Sequence, residues 1–166
     1  MHFIGFLVSF YSFTKHKWFL MTKDYKAFFL TLIQYTTLPL MMWMMTWFAE
    51  NLLLLIIQLL GLIVASWAIF EMQKSKINIA PTPREGATLV DTGIYKWIRH
   101  PMYTSLLMVF IPMIIENQTT INLALFLFFA INLILKLEYE ETLLVQFFPN
   151  YQDYKKRSFK IIPYIY

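Results

Sequence analysis

Residues 51–70 read NLLLLIIQLLGLIVASWAIF, and none of these side chains carries a charge. At about 1.5 Å rise per residue, a helix of that length crosses a hydrocarbon core of about 30 Å. Upstream, residues 27–49 (AFFLTLIQYTTLPLMMWMMTWFA) repeat the pattern, with only Glu50 between the two runs. Downstream, charge-free runs at 101–115 and 117–135 flank Glu116, and Asn117-Gln118-Thr119-Thr120 opens the second. This spacing predicts a helical hairpin whose first arm is near the short limit for a span. Residues 3–13 form a shorter apolar stretch. It reads as another membrane-inserted helix, since no Lys or Arg precedes it and no small-residue cleavage site follows.

The composition agrees with that reading. The 166-residue chain is 58% hydrophobic and 14% charged, against about 45–50% and about 25% for soluble domains. So much apolar surface excludes a disordered chain. The absence of cysteine excludes disulfide frameworks, thiolate metal sites, cysteine nucleophiles and cysteine-linked lipid anchors.

Charge orients the spans. Lys15, Lys17, Lys23 and Lys26 precede the first long run; Lys74, Lys76, Arg84, Lys96 and Arg99 lie between the second run and the hairpin. Lys136, Lys155, Lys156, Arg157 and Lys160 follow the last run, whereas the other two connections carry only Glu50 and Glu116. The positive-inside rule then places residues 14–26, 71–100 and 136–166 in the cytoplasm. The charge-free runs disfavour a pump or channel, which needs ionisable groups within the membrane. No phosphate loop, His-Glu-x-x-His or long repeat is present. The residues able to do chemistry are therefore confined to the two segments flanking the hairpin.

The first of these reads Leu89-Val90-Asp91-Thr92-Gly93-Ile94-Tyr95-Lys96-Trp97-Ile98-Arg99-His100-Pro101-Met102-Tyr103. Gly93 permits a tight turn, and Pro101 suits the first helical position, which leaves His100 at the cap. Helix N-termini attract anionic groups, although an aromatic belt at the membrane edge also accounts for Tyr95, Trp97 and Tyr103. The second segment begins Lys136-Leu137-Glu138-Tyr139-Glu140-Glu141. Lys136 and Glu140 share a helical face and form a surface ion pair in the simplest reading. Glu140 and Glu141 diverge by about 100°, so one is expected to point inward and the other into solvent.

Gly-x-Tyr-x-x-x-Arg-His-Pro-x-Tyr, a hairpin, Glu-Glu-x-x-Leu, Tyr-x-x-Tyr and a closing Ile-Pro together resemble the isoprenylcysteine carboxyl methyltransferase family, which is related to the phospholipid N-methyltransferases. The resemblance covers roughly residues 59–166 and rests on Arg99-His100-Pro101-x-Tyr103 with Glu140-Glu141. It implies S-adenosylmethionine as cofactor, bound at the cytoplasmic ends of the helices. The implied pocket is Ala87, Thr88, Leu89, Val90, Tyr95, His100, Pro101, Met102, Tyr103, Glu140 and Glu141. Lys136 falls where the family has an arginine that orients the substrate carboxylate, so Lys136 and Glu140 are the expected catalytic residues. Lysine departs from that pattern by offering a point charge in place of a bidentate fork. Ser105 stands where the family usually has glycine, and Pro149-Asn150 replaces a longer linker before Tyr151.

The chain is thus expected to be an all-α integral membrane bundle of about five helices. It is read as one domain over residues 1–166, with membrane helices in 1–70 and the motif-bearing part in 71–166. The expected activity is methyl transfer to a lipophilic acceptor, first of all the carboxylate of a prenylcysteine-like substrate. A phospholipid amine is the alternative acceptor, with Glu140 or Glu141 as base, and a non-enzymatic lipid-binding protein on the same scaffold is the other alternative. Membrane lipids are the expected surroundings, and neither metal nor nucleic acid is expected as a partner. The acceptor is expected to arrive sideways between the hairpin and the 27–70 pair, past an adaptable wall of Met41, Met42, Met44 and Met45. Ordinary helix packing is the competing reading for each of these methionines.

Overall fold

The computed structural model describes residues 25–74 and 88–163. The apolar stretch at 3–13, Lys15, Lys17, Lys23, Lys76, Arg84 and Ala87 lie outside them. The described residues form five α-helices: α1 (Tyr25–Met44), α2 (Leu52–Lys74), α3 (Pro101–Glu116), α4 (Thr120–Phe147) and the short α5 (Tyr151–Lys156). One 3-10 turn, Gly93–Lys96, precedes α3. Three helices, α1, α2 and α4, are long and apolar enough to cross a membrane, and α3 is a shorter apolar helix. The all-α membrane architecture expected from the charge-free runs is present. Helices suit this environment because each satisfies its own backbone polar groups where no water can.

α4 is longer than its charge-free run, with 28 residues. At about 1.5 Å per residue it exceeds a hydrocarbon core by roughly two turns. Those extra turns carry Lys136, Glu140 and Glu141.

The α3–α4 hairpin expected from the sequence is present, and its two arms pack mainly on other helices. α3 lies chiefly against α2 and α4 chiefly against α1, while α3 and α4 share a smaller contact. The helices therefore stand in the order α2, α3, α4, α1. Met41 and Met45 pack with Phe110, Met113 and Phe129 in the core. Met42 and Met44 are exposed. The four methionines thus split into helix packing and outer surface, and they form no common wall.

Two small features set the helix contacts. A Cβ placed on Gly61 would stand 2.9 Å from Met108 Cβ and 3.2 Å from the Ser105 carbonyl oxygen. The missing side chain thus lets α2 approach α3, as small residues do between membrane helices. Ser105 is accommodated opposite, its hydroxyl donating to the Met102 carbonyl at 2.7 Å. At the weakly charged end, the Glu116 carboxylate accepts from the backbone N–H groups of Glu50 and Asn51, both at 2.8 Å. It neutralises orphan donors and the positive dipole end at the start of α2. Gln58 reinforces the same corner, accepting from Ala49 N at 2.8 Å and donating to the Trp47 and Val109 carbonyls at 3.2 Å each.

Candidate functional site

The loop before α3 is shaped by Gly93, whose φ of +56° lies in the left-handed region. Its bare face is covered by Glu71, since a Cβ there would fall 2.4 Å from the Glu71 carboxyl carbon. Thr92 donates its hydroxyl to the same carboxylate at 3.3 Å. The chain then runs to His100, the N-cap of α3, with Pro101 as the first helical residue. That is the arrangement the sequence predicts.

Residues 157–161 pair with this loop. Ile98 and Phe159 form an isolated parallel bridge. The backbone N–H groups of Arg99 and His100 donate to the carbonyls of Phe159 and Lys160 at 2.7 and 3.0 Å. Thr104 donates to the Ile161 carbonyl at 2.7 Å, and the Tyr154 hydroxyl donates to the Tyr95 carbonyl at 2.6 Å. Arg99 completes the clamp: its guanidinium donates to Glu141 at 2.7 Å, to the Lys155 carbonyl at 3.2 Å and to the Ser158 carbonyl. None of these long-range partners is signalled by the local sequence.

Against this clamp sits a cluster of ionisable side chains. The His100 ring lies between two carboxylates, with Nε2 at 3.4 Å from Glu141 and Nδ1 at 3.9 Å from Glu140. Both glutamates therefore face one histidine, and the expectation that one would be solvated is overturned. The two side chains do leave α4 in different directions, but an imidazole is wide enough to meet one at each nitrogen. Glu141 is the more deeply buried, and it also pairs with Lys155 at 2.9 Å. Glu140 keeps a freer carboxylate, with Lys136 Nζ at 3.9 Å and the Tyr103 hydroxyl facing it. The Lys136–Glu140 pair is buried rather than on the surface, because α1 covers Lys136 and supplies Gln34, whose Oε1 accepts from Nζ at 2.7 Å. The Tyr103 ring stacks on His100 at 5.5 Å between centroids and stands 5.8 Å from Lys136 Nζ.

Several buried polar atoms around this cluster make no hydrogen bond: the Tyr95 and Tyr151 hydroxyls and His100 Nε2. Burial first, and then the charges of Glu140 and Glu71, push the Tyr95 hydroxyl well above its ordinary range. It therefore stays protonated as a donor. Buried polar atoms without partners are uncommon, and each needs an explanation.

The structure brings His100, Tyr103, Lys136, Glu140 and Glu141 together, with Tyr95 near enough to feel Glu140. Val90 packs with Ala68, Ile94 and Tyr95, and Met102 packs against that group. Pro101 is fully buried. Thr88 and Leu89 line a separate cavity of about 330 Å³ together with Asp91, Phe148, Pro149, Asn150 and Arg157. Arg157 and Asp91 pair across it at 2.5 Å. The sequence reading missed Gln34, Glu71 and the clamp residue Ser158, and it had Tyr154 only as part of Tyr-x-x-Tyr.

The family model for isoprenylcysteine carboxyl methyltransferases matches residues 52–146, more than half of the chain. The match takes in α2, the His100 loop, α3 and nearly all of α4, while α1, α5 and the clamp's C-terminal partners at 154–161 lie outside it. No curated protein and no solved structure matches the chain.

Proposed function

The chain belongs to the isoprenylcysteine carboxyl methyltransferase family, and on that premise we propose that it methylates the carboxylate of a prenylcysteine-like acceptor with S-adenosylmethionine as donor. The observation that carries this reading is the cluster of His100, Tyr103, Lys136 and Glu140 at the charged end of α3 and α4. It joins a carboxylate suited to a cationic donor with an ammonium suited to an anionic acceptor.

The donor set fits S-adenosylmethionine. Glu140 is the carboxylate not taken up by the clamp, and His100 Nδ1 at 3.9 Å and the unpaired Tyr95 hydroxyl provide polar atoms near it. Glu140 would receive the donor's ammonium or ribose hydroxyls, with His100, Tyr95 and Tyr103 around it. When bound, S-adenosylmethionine would supply an electrophilic methyl group: an acceptor carboxylate oxygen would bond to the methyl carbon as its bond to sulfur breaks, with S-adenosylhomocysteine leaving as a neutral thioether and no proton to remove. What the protein adds is placement, an effect able to contribute about 7–11 kcal/mol. Lys136 would hold the acceptor carboxylate on the membrane side of Glu140, and Glu141 would serve the clamp that fixes His100. The site faces the cytoplasm in this proposal, because the basic connections lie at its end of the helices.

The test is transfer of labelled methyl from S-adenosylmethionine to S-farnesylcysteine by the purified protein in nanodiscs, read as a base-labile ester. Donor binding without ester formation, combined with methylation of phosphatidylethanolamine, would replace the acid by an amine acceptor. Absence of donor binding would remove the enzymatic reading.

A further inference from the structure

Gln34 lies on α1, outside the stretch matched by the family model, yet it touches the cluster more closely than Glu140 touches Lys136. Its Oε1 accepts from Lys136 Nζ at 2.7 Å across a sequence separation of 102 residues, and both side chains are buried. An ammonium offers only donors, so the amide must turn its oxygen toward Lys136. Its Nε2 group is left pointing elsewhere and, among the described residues, donates no hydrogen bond. Lys136 keeps donors in reserve as well. An ammonium has three N–H groups; Gln34 takes one, and Glu140 at 3.9 Å is beyond hydrogen-bond reach.

We infer that Gln34 and Lys136 form one two-pronged site for the acceptor's carboxylate, with Gln34 Nε2 holding one oxygen and Lys136 Nζ the other. The inference rests on the acid-acceptor reading above and adds its specificity-determining residue. A lone lysine is a point charge that fixes distance but not the rotation of a carboxylate. A neighbouring amide N–H group, held in place by the bond to that same lysine, supplies the second point and so the rotation. Lys136 is buried with one hydrogen bond and its carboxylate neighbour at 3.9 Å, and a buried charge is costly until its remaining donors are met. Helix–helix adhesion at this interface already has its own bond one turn away, from Asn132 Nδ2 to the Leu30 carbonyl at 3.0 Å.

Gln34→Glu separates the two roles. The variant still accepts from Lys136, so adhesion between α1 and α4 is kept, but an N–H donor becomes an oxygen that repels an acid. The measurements are KM and kcat with S-farnesylcysteine, and binding of S-farnesylcysteine and of its uncharged methyl ester, on full-length protein in nanodiscs. The expected result is a KM for the acid raised roughly 10- to 100-fold, the worth of a hydrogen bond to a charged group. Affinities for the ester and for S-adenosylmethionine should stay unchanged. Gln34→Leu should lose the acid similarly, and adding Lys136→Arg should restore it, because a guanidinium carries both prongs. These two variants also decide the matter if Gln34→Glu does not fold. An active wild type with an unaltered acid KM in Gln34→Glu, or no rescue by Lys136→Arg, would overturn the site. A wild type that binds donor but methylates no acid would sink the acid-acceptor reading first, and the site with it.

Discussion

Glu140 and Glu141 are neighbours with opposite duties. Glu141 is enclosed by Arg99 at 2.7 Å, Lys155 at 2.9 Å and His100 at 3.4 Å. Removing one partner of a buried ion pair leaves the other uncompensated, at a cost of about 3–5 kcal/mol. Glu141→Ala should therefore lower the melting temperature of the purified protein sharply, with any loss of donor binding following from unfolding. Glu140→Gln changes little volume and leaves the clamp intact, but it removes the carboxylate facing buried Lys136 at 3.9 Å, so it should stay folded and melt between wild type and Glu141→Ala. Its calorimetric affinity for S-adenosylmethionine should fall by about 1.5–3 kcal/mol. Unchanged donor affinity in folded Glu140→Gln and His100→Ala would remove both residues from the donor site.

At the scale of elements, the pairing of α2 with α3 depends on Gly61. Its absent Cβ leaves room for Met108 Cβ at 2.9 Å and the Ser105 carbonyl at 3.2 Å. A methyl group there forces backbone or a short side chain to move, since the nearest atom is itself a Cβ. Overpacking of this kind costs about 1–3 kcal/mol. Gly61→Ala should lower thermal stability in detergent by that order, and Gly61→Leu by more. Because His100 caps α3, a displaced α3 should also weaken donor binding. A Gly61→Leu protein as stable as wild type would show that α2 and α3 do not depend on this close approach.

Across the whole molecule, packing sets the helix order, and the proposed orientation rests on the distribution of charge. Glu50 and Gln118 are exposed at the end with few charges, and Lys156 is exposed at the basic end. The chain has no cysteine, so single cysteines report one position each. Glu50→Cys and Gln118→Cys should react with an impermeant thiol reagent from outside intact cells. Lys156→Cys should react only after permeabilisation. The opposite labelling pattern would invert the proposed orientation and move the cluster to the other face of the membrane.

The membrane class was legible in residues 27–49 and 51–70 because loss of charge over about 20 residues is itself the physical requirement for spanning. His100 at the start of α3 was equally legible, since a proline tolerated at the first helical position leaves the preceding residue as cap. Local sequence could supply the angle between Glu140 and Glu141 but not what stands between them, and only the tertiary structure put one imidazole against both. Met41 and Met42 look alike in sequence, yet one is buried and the other exposed because of where α4 lies. Gln34 looked like an ordinary polar residue in an apolar run. Its partner is 102 positions away, and a contact at that separation leaves no periodicity or spacing by which a single sequence could reveal it.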